Sequence, residues 1–206
     1  MELRDALTQI AEIRQQMARS EVFRGYRSAT TAFSAVVAVA AACVQEYLLP
    51  ENARLAWHML YLWLAAATLS LLVVGVEMAV RFRRSQSVLQ REITLVAVEQ
   101  FVPCLVAGAL VTYVLSLVPS YDSLQTLPGI WAILFGLGVF ASRRVLPRGT
   151  FLVGAWYLMA GVLCLSLRKQ QDDFGFARQM AVTFGGGQLL AAGVLYWMLE
   201  RRHGRA

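Results

Sequence analysis

LAWHMLYLWLAAATLSLLVVGVEMAV, residues 55–80, holds one acidic and one imidazole side chain, Glu77 and His58, in 26 residues and is followed at once by RFRR. A helix rises about 1.5 Å per residue and bonds its own amides, so a run of this length crosses the ~30 Å hydrocarbon layer with room for tilt. Working outward, five more stretches read the same way: residues 30–49, 93–118, 124–142, 150–167 and 180–199. The fourth and fifth are the shortest, and the most open to being one mis-divided hairpin. Pro50 with Asn52, Pro119 with Asp122, Pro147 with Gly149, and a polar run over residues 168–179 punctuate the sequence between them. Short links make antiparallel neighbours. The expected fold is all-α: an integral membrane bundle of six transmembrane helices in three antiparallel hairpins, occupying residues 28–206, with the order of helices around the bundle unreadable.

Composition agrees. A chain that is 58% hydrophobic and 16% charged does not suit a water-soluble globule. The net charge of +6 does not point to nucleic acid, because 18 of the 19 basic residues are Arg and most flank apolar runs. Counted in alternate loops, 15 of the 19 fall on the side of both termini and 4 on the other. The arginine-rich side is the cytoplasmic one, which predicts both termini in the cytoplasm of a bacterial inner membrane. Residues 1–27 lack the leading apolar core of a signal peptide, so the first span is expected to bring the chain into the bilayer.

Within residues 1–27, Leu3, Leu7, Ile10, Ile13 and Met17 recur at helical spacing among Arg4, Glu12, Arg14, Gln15 and Arg19. This predicts a cytoplasmic amphipathic helix that rests on the leaflet, with Phe23 and Tyr26 at the interface, or recruits a partner. Cys43, Cys104 and Cys164 lie in apolar runs without CxxC spacing and read as small apolar fillers.

An acidic side chain inside a span costs about 2.5–3.5 kcal/mol on insertion scales, so Glu77 and Glu99 each demand a partner, a proton or water. Both belong to the cytoplasmic halves of spans two and three. Meeting without a cation, they would share a proton; the plainer alternative pairs Glu77 with Arg81, and Glu99 with Arg143 or Arg144. Pro103 deprives the carbonyl of Glu99 of its helical donor, which places a carboxylate, the amide of Gln100 and a freed carbonyl within one turn. At the outer face Gln45, Glu46 and Tyr47 close the first span, and Trp57, His58 and Tyr61 open the second. Glu46 and His58 are candidates for a hydrogen bond, and Tyr47, Trp57, Tyr61 and Trp63 for an aromatic belt. Gly185, Gly186 and Gly187 either pack closely or loosen the sixth span beside Gln188.

FRGYR from Phe23, AVEQFVPCLVAGAL from Ala97 and LFGLGVFASRRVLPR from Leu134 resemble stretches of multi-pass membrane proteins encoded in bacterial genomes. The resemblance implies a six-helix inner-membrane fold and supplies no activity, substrate or catalytic residue.

No HExxH or GxSxG occurs, and no second intramembrane His exists to ligate haem, so no catalytic residue, metal or cofactor is expected. The glycine-rich bundle predicts a non-enzymatic membrane protein that oligomerises or joins a membrane or cytoplasmic partner, with lipid as its solvent. The alternative is a small proton- or ion-coupled transporter or channel using Glu77, Glu99, Gln100 and Gln188.

Overall fold

A computed structural model describes residues 28–48, 56–84, 88–117, 121–167 and 173–200. Among these the chain is almost wholly helical, without strands, in six helices. Helix α1 is Ser28–Cys43, extended by a π-helical turn at Val44–Leu48. Helix α2 is Ala56–Arg84, α3 is Val88–Leu117, and a single turn at Tyr121–Leu124 leads into α4, Leu127–Ala141. Helix α5 is Thr150–Ser166. Helix α6 is built of Asp173–Met180, a π-helical stretch Ala181–Gly186, Gly187–Leu195 and a second π-helical stretch Tyr196–Glu200. The expected amphipathic helix over residues 1–27 lies outside the described residues.

Four helices are long and apolar enough to cross a membrane: Ser28–Tyr47, Trp57–Arg84, Arg91–Leu117 and Gly175–Met198. Helices α4 and α5 are shorter, at 15 and 17 residues, or about 22 and 26 Å. The sixth helix starts earlier than expected. Residues 173–179 are helical because Phe176, Ala177 and Met180 form an apolar face, buried against Ala38, Ala41 and Ala42 of α1 and Trp63 of α2. Residues 173–179 of the polar run over 168–179 are therefore helix, with Arg178 exposed.

The helices neighbour one another in the order α2, α1, α6, α5, α4, α3. The closest pair is α4 with α5, and glycines set its spacing. A Cβ on Gly129 would lie 2.9 Å from the carbonyl oxygen of Gly161, one on Gly161 would lie 2.8 Å from that of Gly129, and one on Gly136 would lie 3.1 Å from that of Gly154. Glycines seven apart on both helices thus interlock backbone to backbone, which in lipid is a main source of attraction between helices.

Three seams are each joined by an indole. Trp63 of α2 donates to Gln45 of α1 at 2.6 Å, Trp131 of α4 to the hydroxyl of Thr112 in α3 at 2.8 Å, and Trp156 of α5 to the carbonyl of Thr183 in α6 at 3.2 Å. An indole N–H away from water needs such a partner. Among the described residues no indole bond joins α2 to α3. These two helices touch at few positions: the Arg91 guanidinium lies 5.5 Å from the Phe82 ring where α2 ends and α3 begins, and at the other end Leu60, Val111 and Leu115 meet on Leu124 and Leu127. Between those points the ring of helices is open.

Candidate functional site

The structure separates the polar residues singled out in the sequence by environment. Glu77 accepts a hydrogen bond from Nε of Arg81 at 3.2 Å, one helical turn away, with both side chains partly buried. This is the plainer pairing, and it neutralises the carboxylate locally. Glu99 is exposed on α3, in a face that also presents Leu95, Val98, Val102, Val106 and Leu110. It forms no hydrogen bond or ion pair among the described residues, the exposed Arg143 included; the side chain of Arg144, the other expected partner, lies outside them. Pro103 lies in α3 without ending it.

Gln100 and Gln188 point inward. Their Oε1 atoms are buried and have no hydrogen-bond partner among the described residues. Gln179 adds both amide atoms in the same condition; it escaped the sequence reading because it lay in the stretch taken as a polar loop. An orphaned buried acceptor costs about 1–3 kcal/mol, so these amides mark the polar interior.

Around Gln188 the triple glycine does two things at once. The backbone widens to π-helix over Ala181–Gly186. Each glycine also faces a different neighbour: Gly185 lies against Val39 of α1, Gly186 against Trp156, and Gly187 against Tyr157 of α5. Trp156 reaches the Thr183 carbonyl within the widened stretch, where the irregular ladder leaves acceptors available. The hydroxyl of Thr183 lies 3.5 Å from the sulfur of Cys164, which is buried.

At the opposite end of α2 from Arg84, Tyr47, Trp57 and Tyr61 are exposed, Trp57 and Tyr61 stacking at 6.0 Å. Trp63 departs from the expected belt: it is 3% exposed, packed among the alanines of α1. Helical spacing explains the difference, since Trp57 and Tyr61 lie on one face one turn apart and Trp63 is turned away from them. Its partner Gln45, 2% exposed, was a candidate only as part of the helix end. His58 is exposed and makes no hydrogen bond among the described residues. A double-mutant cycle of Gln45→Leu and Trp63→Phe, read by reversible unfolding in mixed micelles, is expected to give a coupling of about 0.6–1.7 kcal/mol. Zero coupling would remove the bond from the account of the α1–α2 seam.

No group of three His, Cys, Asp or Glu side chains able to hold a metal occurs among the described residues. What fold and site define together is a class: a helical bundle with several helices able to cross a membrane, packed through glycine contacts and indole bonds, with few contacts between α2 and α3 and with Glu99 exposed on α3. No family model, curated protein or solved structure matches the chain.

Proposed function

We propose that the chain is a non-enzymatic subunit of a bacterial inner membrane, with six helices crossing as three antiparallel hairpins and both termini cytoplasmic, which acts by docking on another polypeptide within the bilayer. The observation that carries this reading is the state of α2 and α3. Of their apolar windows only 17% and 11% is buried, against 39% and 33% in α1 and α6, and the exposed part includes Glu99. Lipid can cover leucine and valine at no cost, but it supplies no partner to a carboxylate about 12 Å along the helix from Arg91 that has none among the described residues. A protein surface can supply one. The six-span topology is supported by the arginine distribution and by the glycine-locked α4–α5 pair, around which a bilayer can thin to match about 22–26 Å. The amphipathic segment over residues 1–27 offers a second, cytoplasmic contact.

A photoreactive residue placed at Leu72, exposed on α2, tests the reading in native membranes. The expected product is an adduct with the added mass of a polypeptide. Adducts with lipid alone would sink it.

A second reading, ion-coupled transport, has in its favour the orphaned oxygens of Gln100 and Gln188. Its carboxylates fit less well: Glu77 is engaged by Arg81, and Glu99 faces away from the interior where those amides lie.

A further inference from the structure

Resting on that docking reading, we infer that the partner is a second copy of this chain, with α3 of each copy lying along α2 of the other and Glu99 reaching the arginine-bearing end of that α2. Three observations point this way.

The first is charge. The last turns of α2 carry Glu77 against Arg81, Arg83 and Arg84, a cationic excess, whereas the first turns of α3 carry Arg91 against Glu92 and Glu99, an anionic one. Arg83, Arg84, Glu92 and Glu99 are all exposed. An interface built on a twofold axis uses the same patch twice, so a patch with one cationic and one anionic helix complements itself.

The second is depth. Counted from the facing ends of the two helices, Glu99 lies about 16 Å along α3 from Val88 and Arg81 about 4 Å along α2 from Arg84. Side chains on a helix lean toward its N-terminus. Val88 begins α3 and Arg84 ends α2, so Glu99 leans toward the Val88 end and Arg81 away from the Arg84 end. Arg81 already reaches back to Glu77, and its side chain is 37% exposed. Both leans shorten the axial separation of about 12 Å between the two positions. The resulting arrangement is a Glu77–Arg81–Glu99 triad in which the last member comes from the other copy.

The third is room. A Cβ on Gly75 would have nothing within 4 Å, and Ala79, four residues on, is exposed. This gap stands at the level of Val96 and Ala97 of α3, where a neighbouring helix must approach closely for Glu99 to reach its arginine.

Two differently tagged copies, one carrying Val76→Cys and the other Val96→Cys, both at exposed positions of equal depth, would be co-reconstituted in liposomes with Cys43, Cys104 and Cys164 replaced by alanine. Oxidation should yield a cross-link bearing both tags. Its yield should fall about tenfold with Glu99→Leu, persist with Glu99→Asp, and return when Glu99→Arg and Arg81→Glu are combined in each copy. Helicity and elution volume in detergent separate a lost interface from a lost fold. An absent two-tag product, or a yield indifferent to Glu99→Leu, overturns the inference. A Leu72 adduct with a different polypeptide would leave the docking reading standing and remove self-pairing, whereas a lipid adduct would remove both.

Discussion

Gly161→Ala should destabilise the bundle by about 1–3 kcal/mol, and Gly161→Leu by more, because the space a side chain needs is occupied by backbone. A Cβ at Gly161 would lie 2.7 Å from Cγ1 of Ile133, 2.8 Å from the carbonyl oxygen of Gly129 and 3.1 Å from the amide nitrogen of Ile133. The side-chain atom can move aside; the two backbone atoms move only if α4 and α5 separate. Separation would also open the contacts at Gly136 and Gly154, so the loss would spread along the pair. Reversible unfolding in mixed micelles measures it, with Gly193→Ala as the control, since nothing lies within 4 Å of a Cβ at Gly193. Equal stability of the two variants would refute the close approach of α4 and α5.

At Gly187 the obstacle is a ring that has nowhere to go. A Cβ there would lie 2.5 Å from Cζ and 2.7 Å from Oη of Tyr157, a side chain with no exposed surface. Phe135 and Phe184 hold that ring at centroid separations of 4.6 and 5.6 Å. Gly187→Ala is expected to cost about 1–3 kcal/mol, and Gly187→Val more. Combining Gly187→Ala with Tyr157→Leu should return part of the loss, because adjacent residues couple. Gly186→Ala meets only the edge of Trp156 at 3.1 Å, a half-exposed ring able to shift, and should be mild by comparison. If Gly186→Ala proved the more damaging variant, the packing assigned to the triple glycine would be wrong.

Much of the helical layout was legible because hydrocarbon thickness imposes a length on apolar runs. Residues 55–80 and 93–118 match the bodies of α2 and α3, and Pro147 falls between α4 and α5, while Pro50 and Pro119 lie outside the described residues. The start of α6 was hidden because Phe176, Ala177 and Met180 are diluted by Asp173, Arg178 and Gln179 in any running average, although their spacing already describes a face. Which face of a helix turns inward is harder to read. Around Glu99 and Gln100 the residues of α3 from Leu95 to Val98 and from Phe101 to Val111 are apolar or small on every side, so the sequence carries no contrast to show that Gln100 points in and Glu99 out. Trp63 was misplaced for a related reason: an aromatic near a helix end suits both an interface and a core, and only the alanines of α1 that receive it decide between them. The widening of α6 to π-helix has no signature beyond the glycines themselves.

The ring order also bears on biosynthesis. Helix α1 leaves the ribosome before α6, with four helices made between them, yet the two are neighbours: α1 buries Thr31, Ser34, Ala35 and Ala38, and Gly185 of α6 packs on Val39. Until α6 emerges, that contact on α1 cannot form. The arc that runs from α2 and α1 to α3 and α4 therefore closes through α6 only after the intervening helices have been made.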